Sequence, residues 1–366
     1  MMWCLVWIVF LFSMEKSTYT VYYQSDSIQA LEFVPFGAPI TMLDDLLDTI
    51  EVQGYVDQNG ILYWHRKLHT PVCQTGECKE IDVGLYWKCT GEFLGLEVYK
   101  EHLTRTDHSI FSESDYDLLM SVLMNDWSIL REYEYEDLLS EPVEESERPG
   151  GAEAITGATR KEIAEETVKD AVFTTYTLWH LIHVGEKEQL RAGTAAMINQ
   201  DMELLDRLTH SPENQYSNLV LELFAEGKLS YTSRIGTHII SSLDSGKDNT
   251  QRELAIKSLA KLDFDRSEIQ DKLASFYSLA RPNEKGRILN YLGSPTHLTP
   301  SLYAALTDDL SAEDEWLAGR SLEIIKVFPR QSDRTIELAK ALSQSRNSFT
   351  RRAAENFLAF VEKIRK

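Results

Sequence analysis

Residues 153–159 read Glu-Ala-Ile-Thr-Gly-Ala-Thr, a run whose residue types could hold a phosphate group. Thr159 and Glu162 have the T-x-x-E spacing of a capping box, which predicts that Thr159 lies at the N-terminus of a helix. The free backbone N–H groups and the dipole of a helix end favour an anion, and Gly157 and Ala158 leave room for close backbone approach. The Thr159 hydroxyl is therefore a candidate attachment point for a phosphate-bearing group.

The same heptad resembles the covalent-flavin attachment motif of the FMN-binding domain family, written D-x-x-S/T-G-A-T. That family includes the flavin subunits of the Rnf and sodium-pumping quinone reductase complexes, where a transferase links the phosphate of FMN to the last threonine as a phosphoester. The resemblance implies Thr159 as the attachment residue and Glu153, Thr156, Gly157 and Ala158 as the rest of the cofactor-binding sequence. It covers the heptad and the helix predicted after it, and the strand-rich segment before the motif agrees with the family's domain order.

A structural interpretation of the motif competes with the flavin interpretation. The sequence T-G-A-T-x-x-E makes a good loop-to-helix junction without any ligand, in which Thr159 only caps the helix. Glu153 also stands where the family has aspartate, and in the family this acidic residue belongs to the signal that the transferase recognises. The intact T-G-A-T run favours the flavin interpretation, and both remain open.

The four cysteines indicate one disulfide. Cys4 falls in the apolar N-terminal segment, which leaves Cys73, Cys78 and Cys89 in the rest of the chain. Cys73 and Cys78 flank four residues that include Gly76, which can adopt the positive φ that a tight loop needs. In an exported protein we expect these two cysteines to be bonded to each other and Cys89 to be a buried thiol.

The histidines and the motif search identify no catalytic group. His65 and His69 precede the cysteine pair, but structural zinc sites need four ligands at tighter, paired spacings, so no metal site is predicted. His180 and His183 share a helix face, which fits a half-buried pair better than a ligand set. The common hydrolase, nucleotide-binding and zincin motifs are absent from the sequence. The sequence therefore names no catalytic residue.

The composition excludes nucleic acid as a partner. The chain has 366 residues, of which 37 are Lys or Arg and 58 are Asp or Glu, giving a net charge of −21. Nucleic-acid binding needs a face rich in Lys and Arg, and no such face is evident. The length exceeds what one hydrophobic core usually organises, so two domains are expected.

The first thirteen residues, MMWCLVWIVFLFS, are almost wholly apolar. They are fewer than the roughly 20 that a membrane-spanning helix needs, and their length fits the apolar region of a secretory signal peptide. We interpret residues 1–17 as a signal peptide and expect a periplasmic or otherwise exported cell-envelope protein, associated with the membrane at most peripherally. The alternative is that Met14 is the true first residue, since a charged n-region and a clear cleavage site are both missing.

Residues 18–183 are predicted to form an α+β domain. Short aromatic and β-branched runs alternate with turns, and Asn59-Gly60 predicts a β-hairpin. Ser112 and Asp115 have the spacing of a capping box and predict the start of an amphipathic helix.

The end of this domain is predicted from its charge and small residues. Residues 132–151 are rich in acidic residues, proline and glycine, which indicates a surface loop. The helix after the T-G-A-T run is expected to extend through Ile163 and Val168, and the segment VFTTYTLW at 172–179 is β-prone.

Residues 184–366 are predicted to form an all-α, HEAT-like helical repeat domain. Three segments, starting at Leu254, Leu317 and Arg352, each combine small residues with large apolar residues three to four positions apart. Stacking such helices buries apolar stripes that none could bury alone. The spacing of the three segments is irregular, at 63 and then 35 residues, and an ordinary helical bundle is the alternative.

The leading functional hypothesis is an exported FMN-binding redox protein that carries flavin covalently on Thr159. It requires a flavin transferase, and its helical domain would dock protein partners in an electron-transfer chain. The alternative is a non-enzymatic scaffold of the cell envelope, in which the helical repeat domain alone binds proteins.

Overall fold

The structure is a computed structural model that divides into two compact units. It describes residues 20–29, 31, 34–44, 48–73, 78–138, 161–244, 249–293, 295–311, 313–328 and 330–365. The first unit, here the sheet unit, contains the described residues of 1–58 and 62–190, and the second, the helical unit, contains those of 191–366 together with 59–61. An α+β part followed by an all-α part is the layout expected from the sequence.

One antiparallel sheet organises the sheet unit. Its strands in the described residues are β1 (Val21–Gln24), β2 (Val34–Pro35), β3 (Ile40–Leu43), β4 (Thr49–Val56), β5 (Leu62–Thr70), β6 (Ile81–Lys88) and β7 (Phe93–Tyr99). They are ordered β1–β7–β6–β5–β4–β2, and β3 also pairs with β4. The predicted hairpin joins β4 to β5, and Gly60 in its turn has a φ of 73°, which glycine adopts readily.

The sheet buries one face against helices. Trp64 of β5 and Trp87 of β6 are direct partners across the two strands, and both are almost completely buried. The indole N–H of Trp87 donates to the carbonyl of Ile182 at 3.2 Å. This face is the apolar core of the sheet unit.

Four helices complete the described part of the sheet unit: α1 (Asp26–Gln29), α2 (Glu113–Leu123), α3 (Lys161–Ala164) and α4 (Val172–His183). The capping box predicted for α2 is confirmed, since the Ser112 hydroxyl accepts from the Asp115 N–H and the Asp115 carboxylate accepts from the Ser112 N–H. These bonds occupy donors that the start of a helix otherwise leaves unpaired.

The β-prone segment 172–179 is helical, as the first two thirds of α4, and the sequence interpretation was wrong here. Val172, Tyr176 and Trp179 recur at helical spacing, and all three are buried. The hydroxyl of Thr175 donates to the carbonyl of Ala171 at 3.0 Å, a bond that threonine forms within helices. Burial of an apolar helix face outweighs the strand preference of the threonines.

The segment around the predicted surface loop also differs from expectation. Residues 129–132 and 135–138 form two 3₁₀ turns, and Leu130 and Leu138 within them are fully buried. The first part of the acidic run therefore packs against the sheet unit, and residues 139–160 lie outside the described residues. The helix expected to reach Val168 ends at Ala164.

The helical unit is built from stacked helices. They are α6 (Met202–Thr209), α7 (Asn214–Ala225), α8 (Ser233–Asp244), α9 (Asn249–Ser258), α10 (Ser267–Leu279), α11 (Pro282–Leu292), α12 (Pro300–Asp308), α13 (Glu315–Ile325), α14 (Asp333–Leu342) and α15 (Ser348–Arg365). The division between the units falls between Leu190 and Arg191, within helix α5 (Glu186–Gln200). None of the helices in the described residues is both long and apolar enough to cross a bilayer.

The helices of the helical unit repeat at a nearly constant interval. Helices α7, α9, α11, α13 and α15 begin at Asn214, Asn249, Pro282, Glu315 and Ser348, so their starts are 35, 33, 33 and 33 residues apart. Helix α7 packs on α9, α11 on α13, and α13 on α15. The 63-residue interval between the segments at Leu254 and Leu317 spans two repeats, because the helix that begins at Pro282 lies between them.

The alternate helices form a second set with the same interval. Helices α8, α10, α12 and α14 begin at Ser233, Ser267, Pro300 and Asp333, which are 34, 33 and 33 residues apart. Helix α8 packs on α10, and α10 packs on α12. Five pairs of helices two places apart in the chain therefore pack on each other, which is the contact pattern of a solenoid.

A buried carboxylate joins three helices of this stack. Asp309 follows α12 and has 1% of its surface exposed. Its oxygens accept from the Tyr277 hydroxyl at 2.5 Å, the Lys285 ammonium at 2.7 Å and the Ser321 hydroxyl at 3.1 Å. The carboxylate is therefore both hydrogen-bonded and paired with a cation, as burial of a charge requires.

We predict that Asp309→Ala lowers the free energy of unfolding by about 3–5 kcal/mol, because it leaves the Lys285 ammonium buried without its partner. The matched control is Asp308→Ala, which removes an exposed carboxylate paired with Arg334 and should change stability little. Urea unfolding of both variants measures the difference. Equal effects at the two positions would contradict the prediction.

We further predict that a fragment comprising residues 186–366 folds without the sheet unit. Starting at Glu186 keeps α5 whole, and the contacts of a solenoid are made between neighbouring repeats. The fragment should retain its helical circular dichroism and melt cooperatively. Loss of cooperative melting would show that the two units share one core.

Candidate functional site

The residues that the sequence singled out for cofactor binding cannot be placed. Glu153, Thr156, Gly157, Ala158 and Thr159 all lie outside the described residues. The chain is described again from residue 161 onward, within helix α3.

The sheet carries a second face that the sequence analysis did not identify. Side chains alternate between the two sides of a strand. The residues at the positions that alternate with the buried tryptophans and leucines therefore lie on the opposite side of the sheet. Register places His65 opposite Tyr86, and Gly84 opposite Glu97. We call this side the polar face, and it is defined by Tyr55, His65, Lys67, Tyr86, Glu97 and Tyr99.

Glu97 lies at the centre of the polar face and has 8% of its surface exposed. Its Oε2 atom accepts hydrogen bonds from the Tyr86 hydroxyl at 2.6 Å and from the Tyr99 hydroxyl, and its Oε1 atom accepts from the side-chain amide of Gln24. Burial raises the pKa of both tyrosines above the usual value, with Glu97 adding to the effect. Both hydroxyls therefore stay protonated and act as donors.

His65 is held by aromatic rings on either side. Its ring centroid lies 4.4 Å from that of Tyr86 and 5.8 Å from that of Tyr55, the latter edge-on. Burial lowers its pKa from the ordinary 6.5 to about 4, so the imidazole is neutral near pH 7. Its Nε2 atom is buried and has no hydrogen-bond partner among the described residues.

Gly84 makes this arrangement possible. A Cβ atom at this position would lie 2.5 Å from the Tyr99 hydroxyl oxygen and 2.9 Å from His65 Nε2. Any larger residue would therefore displace one of the two groups. Glycine in the middle of a strand costs stability, and here it lets two polar groups converge above the backbone.

A cavity of about 560 Å³ opens on the polar face. Its lining includes Tyr55, His65, Lys67, Glu97 and Tyr99, so aromatic, cationic and hydrogen-bonding groups meet in one concave surface. The Lys67 ammonium lies 4.7 Å from the centroid of the Tyr99 ring, which is a cation–π distance. Such a mixture of aromatic walls and a few polar groups is typical of small-molecule sites.

The two cysteines highlighted by the sequence are joined by a disulfide. The Cα atoms of Cys73 and Cys78 lie 5.7 Å apart, and the backbone N–H of Cys78 points to the sulfur of Cys73 at 2.9 Å. Cys73 is buried and Cys78 is partly exposed. Cys89 is buried in the turn after β6.

The remaining histidines that the sequence singled out make local contacts. His183 Nε2 lies 2.9 Å from the carbonyl oxygen of Leu123, and His180 Nδ1 lies 3.1 Å from that of Tyr176. His69 lies between Glu80 and Asp82 on an open part of the surface. Across the residues that the structure describes, no three His, Cys, Asp or Glu side chains form a group suited to a metal ion.

The sequence contained a signal for the polar face that its analysis did not use. Histidine and lysine occupy alternate positions 65 and 67 of a strand whose other side carries Leu62, Trp64 and Leu68, and glutamate and tyrosine do so at 97 and 99. Alternation shows which residues share one side of a strand, but it does not show which strands are neighbours. The meeting of His65 and Glu97 over Gly84 depends on that neighbour relation.

Comparison of the chain with models of known protein families, with curated proteins and with solved structures finds no match. The assignment of function therefore depends on the chain's own residues.

We predict that His65 makes folding stability depend on pH. Because the pKa of His65 is about 4 in the folded protein and 6.5 in its ordinary state, the unfolded chain binds more protons between these values. Stability contributed by neutral His65 is present above the unfolded-state pKa and is lost as the pH falls toward 4. Between about pH 7.5 and about pH 4.5 this loss amounts to about 2–3 kcal/mol.

Urea unfolding of the wild-type protein and of His65→Gln at both pH values measures this contribution. Burial also lowers the pKa of His183 and His238, and both residues remain in the variant. Only the difference between the two proteins therefore reports on His65. An identical pH dependence in both proteins would contradict the prediction.

Proposed function

We propose that the sheet unit is a flavin-binding redox module, with FMN attached through its phosphate to Thr159, and that the protein transfers electrons. The observation that carries the proposal is the Glu-Ala-Ile-Thr-Gly-Ala-Thr run at 153–159, which keeps the threonine, glycine and alanine of the attachment motif. Bound FMN would supply reversible one- and two-electron chemistry, while the chain would supply the attachment hydroxyl and the surrounding surface.

The chain that follows the motif is firmly packed in the sheet unit, which supports this assignment. Ile163 and Val168 are almost completely buried, and the Thr167 hydroxyl donates to the Ile163 carbonyl at 2.9 Å. The chain then enters α4, whose Ile182 carbonyl accepts from Trp87 of the sheet. A group on Thr159, two residues before α3, is thereby tethered to the sheet unit.

The proposed location is outside the cytoplasm, in the periplasm or elsewhere in the cell envelope. The disulfide between Cys73 and Cys78 supports this location, because reducing systems keep most cytoplasmic thiols unpaired. The signal peptide hypothesised at residues 1–17 lies outside the described residues.

We predict that coexpression with a flavin transferase gives a denatured polypeptide that retains flavin and is heavier by one covalently bound FMN. Thr159→Ala should abolish this modification, because it removes the hydroxyl that forms the phosphoester. Thr237→Ala, which changes an exposed threonine of the helical unit, is the control and should keep it. Intact-mass spectrometry of the denatured proteins measures both. Unmodified wild-type protein, or modified Thr159→Ala, would overturn the assignment.

A second candidate function is a scaffold that binds proteins through the helical unit. The 33–35-residue interval and the contacts between alternate helices support a helical-hairpin solenoid, an architecture that offers an extended binding surface. The interval is shorter than the roughly 40–47 residues of HEAT repeats, so the HEAT-like label describes the stacking and not the repeat length. A colourless protein after exposure to the transferase would favour this candidate over the flavoprotein.

A further inference from the structure

We propose that the polar face of the sheet unit is a binding site for a neutral, planar heteroaromatic ring that carries hydrogen-bonding groups. Described residues of the polar face form this site, so the site does not depend on attachment at Thr159. Its elements are a rigid floor, an unpaired imidazole nitrogen, a balanced set of charges and aromatic walls around one cavity.

The floor of the site is held rigid before any ligand arrives. Glu97 fixes the hydroxyls of Tyr86 and Tyr99 on one carboxylate oxygen and the amide of Gln24 on the other. Tyr86 in turn packs against the ring of His65. Preorganised side chains lose little conformational entropy on binding, which favours recognition of a small ligand.

The Nε2 atom of His65 is the polar group that this framework leaves without a partner. Most buried polar atoms in proteins are hydrogen-bonded, and an unpaired one costs free energy that a ligand's hydrogen bond would recover. His65 lines the cavity, and its Nε2 lies on the same side of Gly84 as the Tyr99 hydroxyl. The ligand is therefore expected to pack against the His65 ring, which lines the cavity beside this atom.

The charges around the cavity favour a neutral ligand. Lys67 contributes one positive charge, Glu97 one negative charge that is saturated by three donors, and His65 is neutral near pH 7. Glu51 adds a carboxylate at the exposed rim. A cation would compete with the Lys67 ammonium already placed over Tyr99, and an anion would meet both carboxylates.

The walls of the cavity favour a flat ring. Tyr55 and Tyr99 both line it, and aromatic side chains pack well against the faces and edges of other rings. The volume of about 560 Å³ lies within the range of small-molecule sites and can hold a fused ring system. The ring could be that of a flavin tethered at Thr159 or that of a separate, freely diffusing compound.

Riboflavin is the probe that tests the site, because it has a neutral fused heteroaromatic ring and no phosphate through which to be attached. Titration of riboflavin into the full-length protein, purified without the transferase, should quench its fluorescence saturably. His65→Ala and Tyr55→Leu should each weaken binding by about tenfold or more. His102→Ala, which changes a histidine outside the polar face, should bind as the wild-type protein does.

Circular dichroism checks that each variant is folded, and the wild-type titration remains informative if a variant is not. Absence of saturable binding to the wild-type protein overturns the proposal, as does an effect of His102→Ala with no effect of the two polar-face variants. A repeat titration with flavinylated protein then distinguishes the two sources of the ring. Blocked binding identifies the tethered flavin as the occupant, and unchanged binding identifies a diffusing ligand; both outcomes support the site.

The test separates this inference from the proposed attachment. Attachment at Thr159 is read from the mass of the denatured polypeptide, whereas the ring site is read from riboflavin binding to unmodified protein. Riboflavin binding without a mass increase would support the ring site and contradict the covalent attachment. A mass increase without riboflavin binding would support the attachment and contradict the ring site.

Discussion

The pairing of Trp64 with Trp87 across β5 and β6 is the constraint on which the sheet unit depends. Both indoles are almost completely buried, so a shift of one strand by one residue against the other would turn a buried indole toward the opposite side of the sheet. The same register places His65 opposite Tyr86 on the other side of the sheet. The geometry of the polar face is therefore a consequence of how the apolar face packs.

Each unit contains a buried carboxylate, and the comparison separates a structural role from a binding role. Asp309 is paired with the Lys285 ammonium and joins three helices, so its network is complete within the helical stack. Among the described residues, Glu97 accepts hydrogen bonds from neutral donors, and the surface it organises borders a cavity with an unpaired imidazole nitrogen beside it. A buried hydrogen-bond network whose polar groups are all paired stabilises the fold. A network beside an unpaired polar atom can also contribute to binding a ligand.

The features that the sequence predicted correctly are those set by neighbouring residues. The capping box of Ser112 and Asp115 and the Asn59-Gly60 hairpin depend on spacing within a few positions, and the structure contains both. The segment at 172–179 was misread because its threonines favour strands, while its burial against the sheet, which decides the outcome, is a long-range effect. Predicting the polar face requires the order of the strands as well as the alternation of side chains along each strand. A single sequence does not show the order of the strands.

The two proposals for the sheet unit are connected through described residues. From Tyr99 on the polar face the chain leaves the sheet and reaches Thr106, whose N–H and hydroxyl both donate to the carbonyl of Asp170, at 2.7 and 2.8 Å. Asp170 holds a positive φ of 57°, a conformation that a non-glycine residue keeps only where its surroundings fix it. Asp170 lies two residues after Val168, whose burial anchors the chain after the T-G-A-T run. The described chain after the T-G-A-T run and the chain that leaves the polar face are thus hydrogen-bonded to each other within one unit, which is the physical reason to test the two proposals together.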